Sequence, residues 1–171
     1  MMSEPQLRAR TSSAEGTQAL AAALAELAQP GDLLMLVGDL GAGKTAFAQG
    51  YGAALGVTER ITSPTFTLVN HHQGRLLMHH VDVYRLDQLD EVLDLGLEEL
   101  LDGVGVTIIE WGDAIRPALP ADYLEVTLLH DDDDEACRTL ELRLVGGRWA
   151  ARRRALGAAI GPWVDTGDGT P

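Results

Sequence analysis

The chain has 171 residues, enough for one well-packed domain and few for two. No apolar run approaches the roughly 18 residues that span a bilayer, and the N-terminus lacks the layout of a signal peptide. Its 26 acidic and 13 basic residues give a formal charge of −13, which disfavours extended direct contact with a nucleic-acid backbone. The single cysteine, Cys137, excludes an internal disulfide, so we expect a cytoplasmic protein.

The first predicted element is a helix that begins where Ser12 and Glu15 have the spacing of a capping box. Leu20, Leu24 and Leu27 recur at helical spacing, and we expect the helix to end near Pro30. A continuous apolar run at residues 33–37 follows. Such a run is typical of a strand that is buried on both faces of a parallel sheet.

A phosphate-binding motif, G-x-x-x-x-G-K-T, follows this strand directly at residues 38–45, and a second helix is expected to begin at Lys44. The glycines let backbone N–H groups point at a phosphate, and the helix directs its positive end to the same anion. Lys44, the only lysine in the chain, would bridge phosphates, and the Thr45 hydroxyl would ligate Mg²⁺. The motif therefore predicts ATP and magnesium binding by Asp39, Leu40, Gly41, Ala42, Gly43, Lys44, Thr45 and Ala46.

The rest of the chain alternates between predicted strands and helices. Residues 65–69 and 76–84 are expected to pair as a hairpin around a turn at 71–74, followed by an acidic, leucine-rich helical segment at 87–101. Residues 104–109 form a further buried strand, 123–130 and 138–145 a second hairpin, and 148–159 a last helix. We predict a single α/β P-loop NTPase domain over residues 1–160, with a mixed sheet of parallel core and antiparallel hairpins flanked by helices, and a disordered tail at 161–171.

A second magnesium ligand is expected from an acid at the end of a neighbouring strand, and there are two candidates. Glu110 follows an apolar strand, although it could also be a surface carboxylate. Asp82 alternates with apolar residues, and its alternative role is a structural salt bridge with Arg85 or Arg116. The pattern does not decide between the two acids.

A candidate switch segment, Ser63, Pro64 and Thr65, lies between the second helix and the first hairpin. Its hydroxyl groups could approach a γ-phosphate or magnesium, or the segment could simply be a rigid entry to the strand. Trp111 follows Glu110 directly and could contact a loop, a partner or a base, or pack in the core.

Three further groups favour plain structural roles. The histidine pairs at 71–72 and 79–80 are typical of turn and strand-edge polarity rather than of a metal site. Cys137 has no catalytic histidine pattern near it. The cluster formed by Arg148 and residues 152–154 favours a solvated helix face, with a docking patch for an acidic protein or RNA as the alternative.

Other classes of P-loop protein fit the sequence poorly. The Asn-Lys-x-Asp motif that reads guanine cannot exist where Lys44 is the only lysine, and residues 87–102 are too acidic for the arginine-rich lid of a small kinase. The length leaves no room for the second domain of an AAA motor. A compact, nucleotide-controlled partner protein is favoured, with a small-molecule or nucleoside kinase as the alternative.

Four blocks of sequence, at residues 38–45, 63–69, 80–86 and 109–111, occur in the order of one known family. With an acidic segment at 94–97, they give a chain that resembles the TsaE (YjeE) family, the P-loop ATPases of bacterial tRNA threonylcarbamoyladenosine synthesis. The resemblance covers residues 12–145, and the C-terminal part has no counterpart in it.

The resemblance implies a protein that binds and slowly hydrolyses ATP and assists TsaB and TsaD in the N6-threonylcarbamoylation of adenosine 37 in tRNA. It implies that Lys44 and Thr45 hold phosphates and metal, that Glu110 completes the magnesium site, and that Asp82 is functionally important. Trp111 and residues 63–67 would respond to nucleotide or partner, and tRNA would be held by the partners. We expect weak hydrolysis without those partners, because no internal arginine finger is evident.

Overall fold

The computed structural model describes residues 6–64, 69–83, 103–110 and 119–164, together with single positions at 90, 94, 96, 99, 101, 116 and 117. Within these residues, seven strands form one sheet in the order β1-β7-β6-β2-β5-β4-β3. The three strands β2 (Leu33–Val37), β4 (Met78–Asp82) and β5 (Val106–Glu110) run parallel to one another, and β2 is also parallel to β6 (Tyr123–His130). The predicted fold class, a mixed sheet with a parallel core and antiparallel hairpins, is confirmed.

An edge strand that the sequence did not reveal begins the described chain. Strand β1 (Leu7–Thr11) pairs antiparallel with β7 (Arg138–Val145). Helix α1 (Ala14–Ala25) follows, and its N-cap is Ser13, whose hydroxyl accepts a hydrogen bond from the Gly16 N–H at 3.0 Å. The predicted cap at Ser12 is therefore wrong by one residue, because the chain is still leaving β1 at that position.

Helix α2 (Lys44–Ala54) packs tightly against α1 on one face of the sheet. A Cβ atom at Gly50 would lie only 2.1 Å from the carbonyl oxygen of Gln18, so glycine is needed for this close approach. Strand β2 is buried on both faces, since Leu34 and Leu36 join the core beneath these helices whereas Leu33 and Met35 join a smaller cluster on the other face. Helix α2 and the buried strand agree with the sequence prediction, whereas α1 ends at Ala25, before the predicted end near Pro30.

The first hairpin differs from its prediction. Strand β3 (Val69–His72) pairs with β4, so His71 and His72 lie in the strand and the turn comes after them. Residues 65–68, most of the segment that we predicted as the first strand, lie outside the described residues. The second hairpin, β6 with β7, has the predicted bounds.

The C-terminal segment forms two short helices instead of the single predicted helix. Helix α3 (Gly147–Ala150) and helix α4 (Arg153–Ala159) are separated at Arg152, whose φ of −98° and ψ of 2° break the helical path. Residues Gly161–Trp163, which we assigned to a disordered tail, form a 3₁₀ turn in which Trp163 packs against the core. The remaining tail residues, 165–171, lie outside the described part of the chain, as do most positions of the predicted helical segment at 87–101.

Two of the clustered arginines fasten this C-terminal segment to the buried carboxylate of Asp32. Arg152 donates to both Asp32 oxygens at 2.8 and 3.0 Å, and Arg148 donates to Oδ1 at 3.2 Å. The Arg152 guanidinium also lies 4.2 Å from the centre of the Trp149 ring, a cation–π distance. The predicted solvated face therefore does not hold for Arg152, which has a structural role.

Replacing Asp32 with asparagine is expected to lower the free energy of unfolding by about 2 kcal/mol, because charge-assisted hydrogen bonds are lost and an amide N–H₂ would face a guanidinium. Urea unfolding measures the change. Asp131→Asn, which alters an ion pair with Arg10 at the surface, is the control and should cost much less. Equal losses in the two variants would contradict the assignment of Asp32 as the anchor.

Among the described residues, no helix is long and apolar enough to cross a membrane.

Candidate functional site

The candidate site lies where three parallel strands end at the same edge of the sheet. Strand β2 leads into the P-loop, while β5 ends at Glu110 and β4 ends at Asp82. In the register of the sheet, Glu110 pairs with Leu36 on one side and with Asp82 on the other. Ligand sites of open α/β sheets lie at the carboxyl ends of strands, so the topology places both candidate acids beside the P-loop.

The P-loop opens the N-terminus of helix α2 to a ligand. Gly43 is the N-cap and has a φ of 106°, a left-handed conformation that favours glycine, and it makes no side-chain cap. The first N–H groups of a helix have no partner within the helix, and the helix dipole adds a partial positive charge there. This end of α2 is therefore suited to bind an anion such as a phosphate.

The front of the loop is a tight turn. The Ala42 N–H donates to the Asp39 carbonyl at 3.0 Å. At Gly38, a Cβ atom would lie 2.7 Å from the Leu128 carbonyl oxygen, so β6 approaches too closely for any other residue. Leu40, at the tip of the turn, has 79% of its surface exposed. The sequence motif therefore adopts the loop that its glycines predict.

The Lys44 side chain is buried and lies across the loop. Its ammonium donates to the carbonyl oxygens of Gly38 at 2.6 Å and Asp39 at 2.9 Å. A buried ammonium needs such partners, since its desolvation is costly. These contacts place the positive charge of Lys44 at the same end of α2 as the open N–H groups.

Four oxygen-bearing side chains meet next to the loop. The Thr45 hydroxyl lies 3.5 Å from Glu110 Oε1, and the Ser63 hydroxyl lies 3.3 Å from Glu110 Oε2. Ser63 also donates to Asp82 Oδ2 at 2.8 Å, the shortest of these contacts. The structure thus brings together the predicted metal ligands, the second candidate acid and the first residue of the candidate switch segment.

Asp82 carries the unusual electrostatics of the cluster. Burial raises the pKa of its carboxyl above the usual value, and the negative charge of Glu110 raises it further, whereas the Ser63 hydrogen bond and the charge of Lys44 oppose the rise. Its Oδ1 atom is buried and has no hydrogen-bond partner among the described residues. A buried carboxylate oxygen without a partner is costly, which is typical of a functional group.

The histidine pairs are distributed differently from the prediction. His80 is fully buried, with Nε2 3.3 Å from Glu110 Oε1 but outside hydrogen-bond geometry. The Nδ1 atoms of His71 and His79 lie 2.8 Å apart across the hairpin, and burial together with His71 lowers the pKa of His79. His72 contacts Glu59 at 2.6 Å. Of these four histidines, His80 is thus the one that lies beside the acidic side chains of the candidate site.

The donor set fits magnesium. Thr45, Ser63, Glu110 and Asp82 offer hydroxyl and carboxylate oxygens, which are the ligands that Mg²⁺ prefers. In the described part of the chain, no three His, Cys, Asp or Glu side chains form a ready metal cage. Magnesium is commonly held by one or two carboxylates together with phosphates, so the cluster suits a metal that arrives with a nucleotide.

The remaining candidate residues from the sequence are either paired elsewhere, buried next to the site, or outside the described residues. Arg116 pairs with Glu125 at 2.8 Å, so it is not the partner suggested for Asp82. Pro64 is buried beside Ser63. Thr65, Arg85 and Trp111 lie outside the described residues. Sequence reasoning missed Arg138, whose guanidinium contacts the Gly41 and Ala42 carbonyls, because no local pattern connects positions 96 residues apart.

The comparisons with known proteins agree with this architecture. The family model described as "Threonylcarbamoyl adenosine biosynthesis protein TsaE" matches residues 11–140. The TsaE protein of Bacillus subtilis is 43% identical over 145 residues, covering 84% of this chain and 89% of the relative. That of Streptomyces coelicolor is 42% identical over 135 residues, covering 74% and 89%.

A solved structure supports the same assignment. The crystal structure of Bacillus subtilis YdiB superposes with a TM-score of 0.79 at 36% sequence identity, covering 92% of this chain and 98% of that one. Both curated relatives are named as tRNA threonylcarbamoyladenosine biosynthesis proteins. From the matched motifs, the fold and these relatives, we conclude that the chain belongs to the TsaE family of tRNA threonylcarbamoyladenosine biosynthesis proteins.

Proposed function

We propose that this protein binds ATP with Mg²⁺ at its P-loop, hydrolyses it slowly, and thereby serves a TsaB–TsaD pair that places threonylcarbamoyl on N6 of adenosine 37 in tRNA. The observation that carries the proposal is the meeting of the P-loop with a cluster of Thr45, Ser63, Asp82 and Glu110. An anion site and an oxygen-rich cation site side by side are what a magnesium nucleotide requires.

The loop residues would bind and orient the phosphates. Open N–H groups at the start of α2 supply hydrogen bonds, and Lys44 supplies a full positive charge. Phosphate oxygens would compete with the Gly38 and Asp39 carbonyls for the Lys44 ammonium. Because charge-assisted hydrogen bonds to an anion are stronger than those to a neutral carbonyl, the ammonium favours the phosphate.

The acidic cluster would hold the metal and the attacking water. Thr45 and Glu110 are the proposed metal ligands, and magnesium, when bound, would neutralise charge on the phosphate oxygens. Ser63 fixes Asp82 through Oδ2, so Oδ1 is the atom that we propose accepts a hydrogen bond from water. A hydrogen bond at that atom would also satisfy the buried oxygen that has no partner among the described residues.

The partner role is supported by where the arginines lie. Arg116 and Arg143 pair with Glu125, and Arg148 and Arg152 pair with Asp32, so these four serve the fold. A charge-stabilising arginine accelerates many P-loop enzymes by about 10³- to 10⁵-fold, and we propose that the TsaB–TsaD pair supplies or orders such an element. The formal charge of −13 suits a protein that reaches tRNA through its partners, in the cytoplasm.

The test is ATP hydrolysis by the purified chain with and without its cognate TsaB–TsaD pair. Product analysis separates the rival function, because a small-molecule or nucleoside kinase would transfer phosphate to an acceptor whereas the proposed ATPase releases inorganic phosphate. A phosphorylated acceptor formed at the rate of ATP consumption would replace this proposal with the kinase.

A further inference from the structure

The guanidinium of Arg138 lies against the outer face of the P-loop. Arg138 is the first residue of β7, and its Nε donates to the Ala42 carbonyl at 3.1 Å while Nη2 donates to the Gly41 carbonyl at 3.2 Å. On its other side, Nη1 donates to the carbonyls of Cys137, at 2.7 Å, and Glu135. One side chain thus joins the P-loop to the turn between β6 and β7.

Among the described residues, Arg138 is not held by an ion pair, although the protein is rich in carboxylates. Acidic residues outnumber basic ones by 26 to 13, and Arg10 on the neighbouring strand pairs with Asp131 at 2.7 Å. Arg138, by contrast, donates its hydrogen bonds to main-chain carbonyls. No carboxylate oxygen within the described residues lies within 4.0 Å of its guanidinium nitrogens. A fork of rigid donors that bridges two consecutive carbonyls fixes the backbone between them.

The geometry of the peptide group shows what is fixed. In a trans peptide the C=O and the following N–H point in opposite directions. Holding the Gly41 carbonyl therefore turns the Ala42 N–H inward, where it donates to Asp39 at 3.0 Å. Holding the Ala42 carbonyl likewise directs the Gly43 N–H, at the start of α2, away from Arg138.

The loop needs such support because its backbone is soft. Gly41 and Gly43 have φ values of 78° and 106°, and a Cβ atom at Gly41 would find nothing within 4 Å. The space that a side chain at Gly41 would occupy is therefore open, and glycine has the widest range of conformations. Donors that are already oriented bind an anion more tightly than donors that must first be ordered.

We propose that Arg138 is a positioning residue for nucleotide binding: it clamps the Gly41 and Ala42 carbonyls and so presents the Gly43 N–H to a phosphate. The inference rests on the proposed ATP function and extends it to a residue outside the motif. Since loop N–H groups contact phosphates before and during the reaction alike, the clamp acts on affinity more than on the chemical step.

The experiment compares dissociation constants for ADP and ATP, without magnesium, in the full-length wild type, Arg138→Ala, Arg138→Lys and Arg10→Ala. In Arg138→Ala, the dissociation constants for both nucleotides are expected to rise about tenfold, which is the effect of losing about one pair of charge-assisted hydrogen bonds. Lysine keeps the charge but not the fork, so Arg138→Lys should fall between wild type and alanine. Arg10→Ala, which removes an ion pair to the same turn, should remain within about twofold of wild type.

Steady-state hydrolysis distinguishes loss of nucleotide affinity from destabilisation of the fold, because the two change KM and kcat differently. In Arg138→Ala, KM should rise with kcat nearly unchanged, whereas a partly unfolded protein loses kcat because fewer molecules are active. Wild-type binding of Arg138→Ala, or a lower kcat at unchanged KM, would overturn the inference while leaving the proposed function intact. A wild-type protein that binds neither nucleotide would overturn both the inference and the proposed function. If Arg138→Ala does not fold, wild-type nucleotide affinity in Arg138→Lys would overturn the inference about Arg138 and leave the proposed function intact.

Discussion

Replacing Lys44 with alanine is expected to abolish measurable ATP hydrolysis and to weaken nucleotide binding by at least about tenfold. The side chain is buried at the start of α2, where its ammonium lies 2.6 Å from the Gly38 carbonyl and 2.9 Å from that of Asp39. Removing a full charge from beside the phosphates takes away stabilisation that grows in the transition state, on the order of 10² to 10³ in rate. Phosphate release and nucleotide titration measure the two effects.

Two further measurements accompany this variant: amine labelling of Lys44 in the wild type and thermal unfolding of Lys44→Ala. Because Lys44 is the only lysine, an amine-directed reagent labels one side chain besides the N-terminus, and bound ATP should slow that labelling in the wild type. Thermal unfolding of Lys44→Ala shows whether the fold is retained. A folded Lys44→Ala protein that hydrolyses ATP at the wild-type rate would remove the P-loop from the mechanism.

Replacing Glu110 with glutamine is expected to reduce magnesium-dependent hydrolysis about 10²- to 10³-fold, since a lost metal ligand costs several kcal/mol of charge stabilisation. Glutamine keeps the volume of this buried residue at the end of β5. Binding of ADP without magnesium should remain near the wild-type value, because the P-loop contacts are intact. The variant thus separates metal from phosphate binding, which Lys44→Ala does not.

Asp82→Asn is the comparison that tests the choice of acid. If Glu110→Gln hydrolyses ATP normally with an unchanged magnesium requirement while Asp82→Asn needs far more magnesium, Asp82 is the main ligand and our assignment is wrong. We expect Asp82→Asn to lower the rate at an unchanged magnesium requirement, because its Oδ1 is proposed to act on water.

The P-loop was predictable because its information is local. A buried strand, three glycines and a lysine within residues 33–45 dictate the turn and the open helix end, and the structure has β2, the loop and α2 at those positions. The β6–β7 hairpin was predictable for the same reason, since two alternating segments flank the acidic turn at 131–134. Neither prediction needs knowledge of distant residues.

The sequence predicted that Glu110 and Asp82 lie at strand ends, but not that both contact Ser63 and are neighbours in the sheet. Apolar strands before both acids indicated that each would reach a sheet edge, but the parallel register of β4 and β5 decides that they are neighbours. The Ser63 hydrogen bond to Asp82 follows from how the chain leaves α2, which no pattern in residues 56–64 shows. Packing of the whole sheet supplies this information.

The missed features depend on long-range contacts. Strand β1 is short and carries two arginines, and it is a strand only because β7 pairs with it. Arg152, where the C-terminal helix breaks, binds Asp32, which lies 120 residues earlier in the chain. Arg138 reaches the P-loop across 96 residues in the same way. Such roles become visible only when the sheet is assembled.

The measurement that tests the central claim most directly is ATP hydrolysis by this chain in the presence of magnesium, alone and with its cognate TsaB–TsaD pair. We predict slow release of inorganic phosphate by the chain alone, an increase of at least about tenfold with the pair, and no increase in Lys44→Ala. Hydrolysis that the pair does not change, while the Lys44→Ala control remains inactive, would contradict the partner role and leave an ATP site that serves another reaction.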